Sequence, residues 1–525
     1  MTKTSRPVGL LALCMALAAG AGCQSGSMGA TPGGAQDNGL AQTQVNQGYV
    51  PRPEAFTVEG LLNQYDLPLE SLPCQLNLCI DAGYGVAPVL VQDRSAVFVQ
   101  LGFSSGLDPA TFRRSPLNLS VVVDRSGSMS GDKLNSVKQA LGHLIDQLGA
   151  SDRLSIVLFD DRVDIWVKPT LVTDPNSLKA AVARIAARGA TNMAEGLRAG
   201  TSLVQENSGQ SGVSDRVMVF TDALTNTGDT DQSTFIQIAA SNAAQNIGIT
   251  LFGVGTDLNQ DLVLAITGFR GGNYFFLNDA NKIATVFDTD FDYLVTPLAY
   301  DLQFQLRPAT GFVITAVYGF SAWRSGSTTV EFSIPTVFLS RNHGAIVVRL
   351  DPTDRTWPAG ASPLAELSMT YLPAGANTTA TQSLEAAYSS SAPLADDTIF
   401  YSQRAVRKTV ALVNEALAEA QASDYYWNHT GTLDGAIALL EKTRTMLLSE
   451  ATTLEDADLQ TEAANLLKLE QNMRNGGSAP SYPNDYSQRP MACSTSLGHG
   501  AKHPVPVAAA SLVLLALVRR RSRKN

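Results

Sequence analysis

The sequence predicts an α/β domain with a parallel sheet, inserted into a β-sandwich and followed by a small helical appendage. Three observations carry this. Within residues 116–292 apolar strands alternate with amphipathic helices, the grammar of a parallel sheet covered by helices. On either side, at 95–103 and from about 297 to 388, strand-length runs alternate apolar and polar residues between Gly and Pro turns. Beyond residue 391, apolar residues return at helical spacing. The chain has 525 residues, room for two to four domains of roughly 150 residues each. With 44% hydrophobic and 16% charged residues it is a folding composition, so disorder can only be local.

Taken in order, residues 1–22 join a short basic start to an apolar run at 10–19 and to the small residues Gly20, Ala21 and Gly22, which is an export signal. Because Cys23 follows directly, the segment resembles a bacterial lipoprotein signal, in which that Cys is acylated; Gly20 stands where Leu is usual. Residues 23–50, rich in Gly, Ser, Gln and Asn, read as a flexible linker. Residues 51–115 hold the first sandwich strands and the pair Cys74 and Cys79. In an exported chain these form a local disulfide contributing about 2 kcal/mol. A metal site would need two more soft ligands than that stretch offers.

After the α/β block, residues 293–390 complete the sandwich. The helical segment, 391–476, shows Ile399, Val406, Val410, Val413 and Leu417 on one stripe and Leu433, Ile437, Leu440 and Leu447 on another. A third helix is expected to start at a capping box formed by Thr452 and Glu455 and to end before Gly476 and Gly477. Residues 477–492 read as a linker. The tail, 493–525, combines Cys493, an apolar run at 505–518 and a terminal Arg cluster. That run is shorter than the roughly 20 residues that span a bilayer. The tail resembles the C-terminal sorting signals of myxobacterial surface proteins, the MYXO-CTERM type, and a plain C-terminal anchor is the alternative.

Charge narrows the partners. The formal net charge is -10, yet the two ends are basic, which leaves residues 23–493 at -18. A body this acidic repels phosphate backbones, so nucleic acid is excluded as a partner and cations are favoured.

The chemistry lies in the α/β block. Its first strand ends in Asp124, followed by Arg125, Ser126, Gly127 and Ser128, and then by a helix with Leu134, Val137, Leu141, Leu144 and Ile145 on one face. Ligand sites of open parallel sheets lie at the carboxyl ends of strands. One carboxylate and two hydroxyls at alternate positions suit a hard cation such as Mg²⁺, and the neutral hydroxyls leave it open to an external carboxylate. The string DRSGSMSGDKL, with GATNMAEGL and VMVFTDALTNTGDTD after it, resembles the three metal-binding motifs of von Willebrand factor type A domains. The resemblance implies a doubly wound, mostly parallel sheet and a complete metal-ion-dependent adhesion site of Asp124, Ser126, Ser128, Thr191 and Asp222. It implies Mg²⁺, with Mn²⁺ or Ca²⁺ as substitutes, and a protein partner that completes the coordination with Asp or Glu. Ala190 and Ala223 depart from the Gly usual in those loops. Asp229 and Asp231 read as a solvated polar loop, and Asp160 and Asp161 as a turn.

No catalytic residue is assigned. Gly102 to Gly106 spell G-x-S-x-G, but no helix follows as a nucleophile elbow requires, so a serine hydrolase is a remote alternative. The expected protein is not an enzyme. It is exported to the cell envelope, held at the membrane through its termini, and adhesive; the alternative is an envelope assembly factor whose metal only braces the fold.

Overall fold

Residues 28–70, 74–223, 225–256, 258–319, 329–358, 363–388 and 394–479 are described in a computed structural model. The export signal, Cys23, Cys493 and the C-terminal tail lie outside these residues.

The stretch expected as a flexible linker departs most from expectation. From residue 28 it is built into the fold as β1 (Met28–Pro32), β2 (Gly34–Ala35) and α1 (Gly39–Asn46), with β1 buried along its whole length. Its small residues are there for clearance. A Cβ on Gly33 would stand 2.6 Å from the Gly272 carbonyl oxygen, and Gly34 takes φ +103°, a turn that glycine makes without strain. A composition that reads as loose in one dimension thus lets the chain cross from one sheet into another. Helix α2 (Val58–Gln64) follows, capped by the Thr57 hydroxyl, which accepts from the Gly60 N–H. Then come β3 (Cys79–Val89) and β4 (Arg94–Ser105). Cys74 and Cys79 are disulfide-bonded, with Cα atoms 5.7 Å apart.

The α/β domain contains β5 (Leu117–Asp124), α3 (Asp132–Gln147), β6 (Arg153–Phe159), β7 (Val163–Leu171), α4 (Pro175–Ala183), α5 (Met193–Gln205), β8 (Ser214–Thr221), α6 (Gln232–Ala244), β9 (Gly248–Val254), α7 (Gln260–Thr267), β10 (Asn273–Leu277), α8 (Ala280–Ala284) and α9 (Phe291–Leu294). The sheet order is β2-β10-β9-β8-β5-β6-β7, parallel except for β7. Strand β5 is buried throughout because helices cover both faces. Leu134, Val137, Leu141 and Leu144 of α3 pack on one face with Phe287 and Phe291, while α5, α6 and α7 cover the other. Strand β2 adds an edge from outside the block, so residues 116–292 alone lack part of their own sheet.

The remaining strands are β11 (Pro297–Pro308), β12 (Phe312–Tyr318), β13 (Val330–Ser340), β14 (Ala345–Pro352), β15 (Pro363–Pro373), β16 (Ala380–Ala387) and β17 (Phe400–Tyr401). They join β1, β3 and β4 in one hydrogen-bonded sheet of ten strands. Strand β1 bridges β4 to β13, so the strands on either side of the α/β domain are a continuous ladder in place of two separate sheets. Val97, Val99 and Leu101 of β4 share a core with Leu302, Phe304 and Leu306 of β11, and the Phe103 and Phe304 rings meet edge to face at 6.4 Å. The G-x-S-x-G string lies at the end of β4, with Ser104 opposite Cys79 in the ladder and no strand-to-helix turn.

Helices α10 (Arg404–Asn428), α11 (Leu433–Leu454) and α12 (Ala457–Arg474) pack with α1 and α2 on the back of β4 and β14, against Phe98 and Val347. Ile399, expected on the first helical stripe, is exposed ahead of the helix. The expected capping box does not form. Thr452 lies inside α11, its hydroxyl donating to the Leu448 carbonyl at 2.8 Å, and Glu455 takes a left-handed φ of +51°. The cap is Asp456, whose side chain accepts from the Leu459 N–H at 3.0 Å.

Candidate metal centre

Strands β5 and β8 are neighbours in mid-sheet, and each runs from an apolar interior to a carboxylate: Asp124 ends β5 and Asp222 directly follows β8. Both side chains are fully buried. Asp124 is fixed by two donors, the Ser126 N–H to Oδ1 at 2.9 Å and the Thr221 hydroxyl to Oδ2 at 2.7 Å. The Ser126 and Ser128 hydroxyls lie 3.0 Å apart. Thr191 is buried on a second loop, where its N–H donates to Asn226 Oδ1 at 2.9 Å and its carbonyl accepts from the N–H groups of Asn226 and Thr227, each at 3.1 Å. The Gly127 N–H donates to the Gly189 carbonyl at 3.0 Å, tying the first loop to the second. Backbone hydrogen bonds therefore hold all three motif loops in one rim. Ala223 takes φ +56°, which explains why Gly suits the position; its own N–H donates to the Thr221 hydroxyl at 2.8 Å and helps hold that turn.

Burial, and after it the charge of Asp222, pushes the Asp124 carboxyl up to about 7 from an ordinary 3.8. Two carboxylates taken out of water side by side call for positive charge. Lys133 supplies one charge, its Nζ 2.9 Å from Asp222 Oδ2. The donors are all oxygen, two carboxylates among hydroxyls, and fit a hard divalent cation. Asp124, Ser126, Ser128, Thr191 and Asp222 are the residues that would hold it.

Asp160 is far more than a turn residue. It is fully buried, and its Oδ2 accepts from Arg125 Nε and from Arg188 Nε, each at 2.7 Å, while its Oδ1 accepts from the Arg162 N–H at 2.9 Å. Arg125 also pairs with Asp164, and the Arg188 N–H donates to the Arg125 carbonyl at 2.7 Å. Burial alone would raise the Asp160 carboxyl; hydrogen bonds from Arg188, the Arg162 N–H and Arg125 outweigh it and hold the group down at about 2. This ion network ties Arg125, the residue between Asp124 and Ser126, to Asp160, Asp164 and Arg188. The sequence signal was available, an Arg inside the first motif and an Asp ending the next strand, but no spacing rule joins them. Asp229 accepts from the Thr234 hydroxyl at 2.7 Å and pairs with Arg198 at 3.7 Å, so it anchors the start of α6 and is not simply solvated.

An open, mostly parallel sheet with buried carboxylates ending two central strands defines an α/β domain whose site lies at the strand carboxyl ends. Residues 118–289 match the model of the von Willebrand factor type A domain, and the chain contains such a domain. An uncharacterized protein of Synechocystis is 34% identical over 178 residues, 33% of this chain and 41% of that one. Inter-alpha-trypsin inhibitor heavy chain H1 of Mesocricetus auratus is 24% identical over 210 residues, 39% of this chain and 23% of that one. The chain thus spans less than half the length of these curated relatives. A solved structure described as von Willebrand factor type A from Catenulispora acidiphila aligns with a TM-score of 0.47 at 14% identity, covering 78% of this chain and 98% of that one. Domains of this type serve adhesion and protein–protein interaction.

Proposed function

We propose that the chain is an exported protein of the cell envelope whose von Willebrand type A domain binds a divalent cation and, through it, an acidic group of a protein partner. The observation that carries the reading is the burial of Asp124 and Asp222 side by side, ringed by the loops of Ser126, Ser128 and Thr191. When bound, the cation supplies a Lewis-acidic centre able to accept a carboxylate oxygen from outside the chain. The protein's own part is positional. Thr221 and the Ser126 N–H orient Asp124, and the Asp160 network holds the first loop rigid. Neutral hydroxyls in place of further carboxylates keep the cation short of negative charge, which favours an acidic partner. The signal at 1–22 and Cys23 support export, and the tail from Cys493 supports retention at the envelope. Among the described residues no helix is long and apolar enough to cross a membrane.

The test uses the exported chain from Cys23 onward. Mg²⁺ at a hundredfold excess over its dissociation constant is expected to stabilise it by about 2.7 kcal/mol over EDTA, and Asp124→Ala to remove that increment. Capture of a protein partner from detergent-solubilised envelope extract by the purified protein should be reversed by EDTA. Identical melting curves in EDTA and in millimolar Mg²⁺ would end the reading; a metal increment with EDTA-resistant partner capture would favour metal as a brace alone.

A further inference from the structure

Lys133 stands where helix electrostatics do not favour it. It is the second residue of α3, in the first turn, where the partial positive charge of the helix N-terminus attracts anions and repels an ammonium. It pairs with Asp222: Nζ lies 2.9 Å from Oδ2, with the lysine side chain 20% exposed and the aspartate 0%. The other cations near the first loop, Arg125 and Arg188, are turned to Asp160 and Asp164. The carboxylate oxygen claimed by Lys133 therefore belongs to a residue that, in the reading above, coordinates the divalent cation. An ammonium and a divalent cation cannot both close on that oxygen without strong like-charge repulsion in a site this buried.

We propose that Lys133 is an internal competitor for the metal centre. It neutralises Asp222 within the chain, a divalent cation must displace it to bind, and the displaced ammonium, on a four-methylene stem, adds positive charge to the rim that meets an acidic partner. Lys133 is a positioning residue here, and the inference rests on the metal-binding reading.

The experiment measures Mg²⁺ binding by titration calorimetry and melting in EDTA on the exported chain. Lys133→Met keeps the apolar stem and removes the charge; Lys133→Gln repeats the test with a polar end. Both variants are expected to bind Mg²⁺ about tenfold more tightly than wild type. Both should melt below wild type in EDTA, where the buried Asp222 loses the Lys133 charge, and match it in saturating Mg²⁺. Lys133→Arg, which keeps the charge, should bind Mg²⁺ no more tightly than wild type. If the neutral variants bind Mg²⁺ with wild-type or weaker affinity, or stay destabilised in saturating Mg²⁺, the competitor role is overturned while the metal centre stands. If wild type itself shows no Mg²⁺ heat at millimolar concentration, the metal centre falls and this inference with it.

Discussion

Asp160→Asn is expected to lower the unfolding free energy by about 3 kcal/mol, read as a shifted urea midpoint with an unchanged slope. Asp160 is fully buried and receives Arg125 and Arg188, so its loss leaves the nearly buried Arg125 guanidinium facing only the half-exposed Asp164. Breaking one side of a buried ion pair costs more than the pair contributes, because the surviving charge stays out of water. Arg188→Ala is the contrasting variant. Its side chain is 50% exposed, water can replace what it gives up, and its loss should cost under about 1 kcal/mol. The acid dependence has a definite sign. The folded Asp160 carboxyl is held at about 2 against 3.8 in the unfolded chain, so its contribution is complete above pH 4 and is lost as pH falls toward 2. Asp160→Asn should accordingly differ from wild type most at neutral pH and least near pH 2. A wild-type midpoint for Asp160→Asn would show that the network does not stabilise the fold.

The parts of the molecule that were legible in the sequence are those where one local pattern decides the structure. Strand β5 is a run of apolar residues ending in Asp124, and only a fully covered strand tolerates such a run, so both the strand and the position of its carboxylate follow from the pattern. The face of α3 from Leu134 to Ile145 is likewise buried as its spacing requires. Thr191 and Asp222 came only from resemblance, since nothing local distinguishes them from other loop hydroxyls and carboxylates. Three features were not legible, each because it depends on partners distant in sequence. Residues 28–35 look like a tether, but Gly29 fits against Asn342 and Gly33 against Gly272, more than 200 residues on. Asp160 looks like a turn residue until Arg125 and Arg188 fold onto it. Glu415 and Glu419 look like the wet side of a helix, yet α10 lies between a sheet and two other helices and has little wet side.

Those glutamates lead to the second large effect. Glu415→Gln is expected to stabilise the chain more at pH 7 than at pH 4. Glu415 is fully buried, and Glu419 stands one turn along the same helix. Across from it, Glu462 of α12 collects donors from Tyr65, Gln42 and Asn465. Burial first, then the charge of Glu462, then that of Glu419, pushes the Glu415 carboxyl well above its ordinary 4.5. The folded chain therefore keeps a proton that the unfolded chain releases above pH 4.5, and stability must fall as pH rises beyond that value. Glutamine imitates the protonated form at every pH and removes that slope. Any packing difference between the two side chains is common to both conditions, so the change between pH 4 and pH 7 isolates the titration. Urea unfolding of both proteins at the two pH values measures it, and an equal difference at both would mean that Glu415 ionises in the folded chain without penalty.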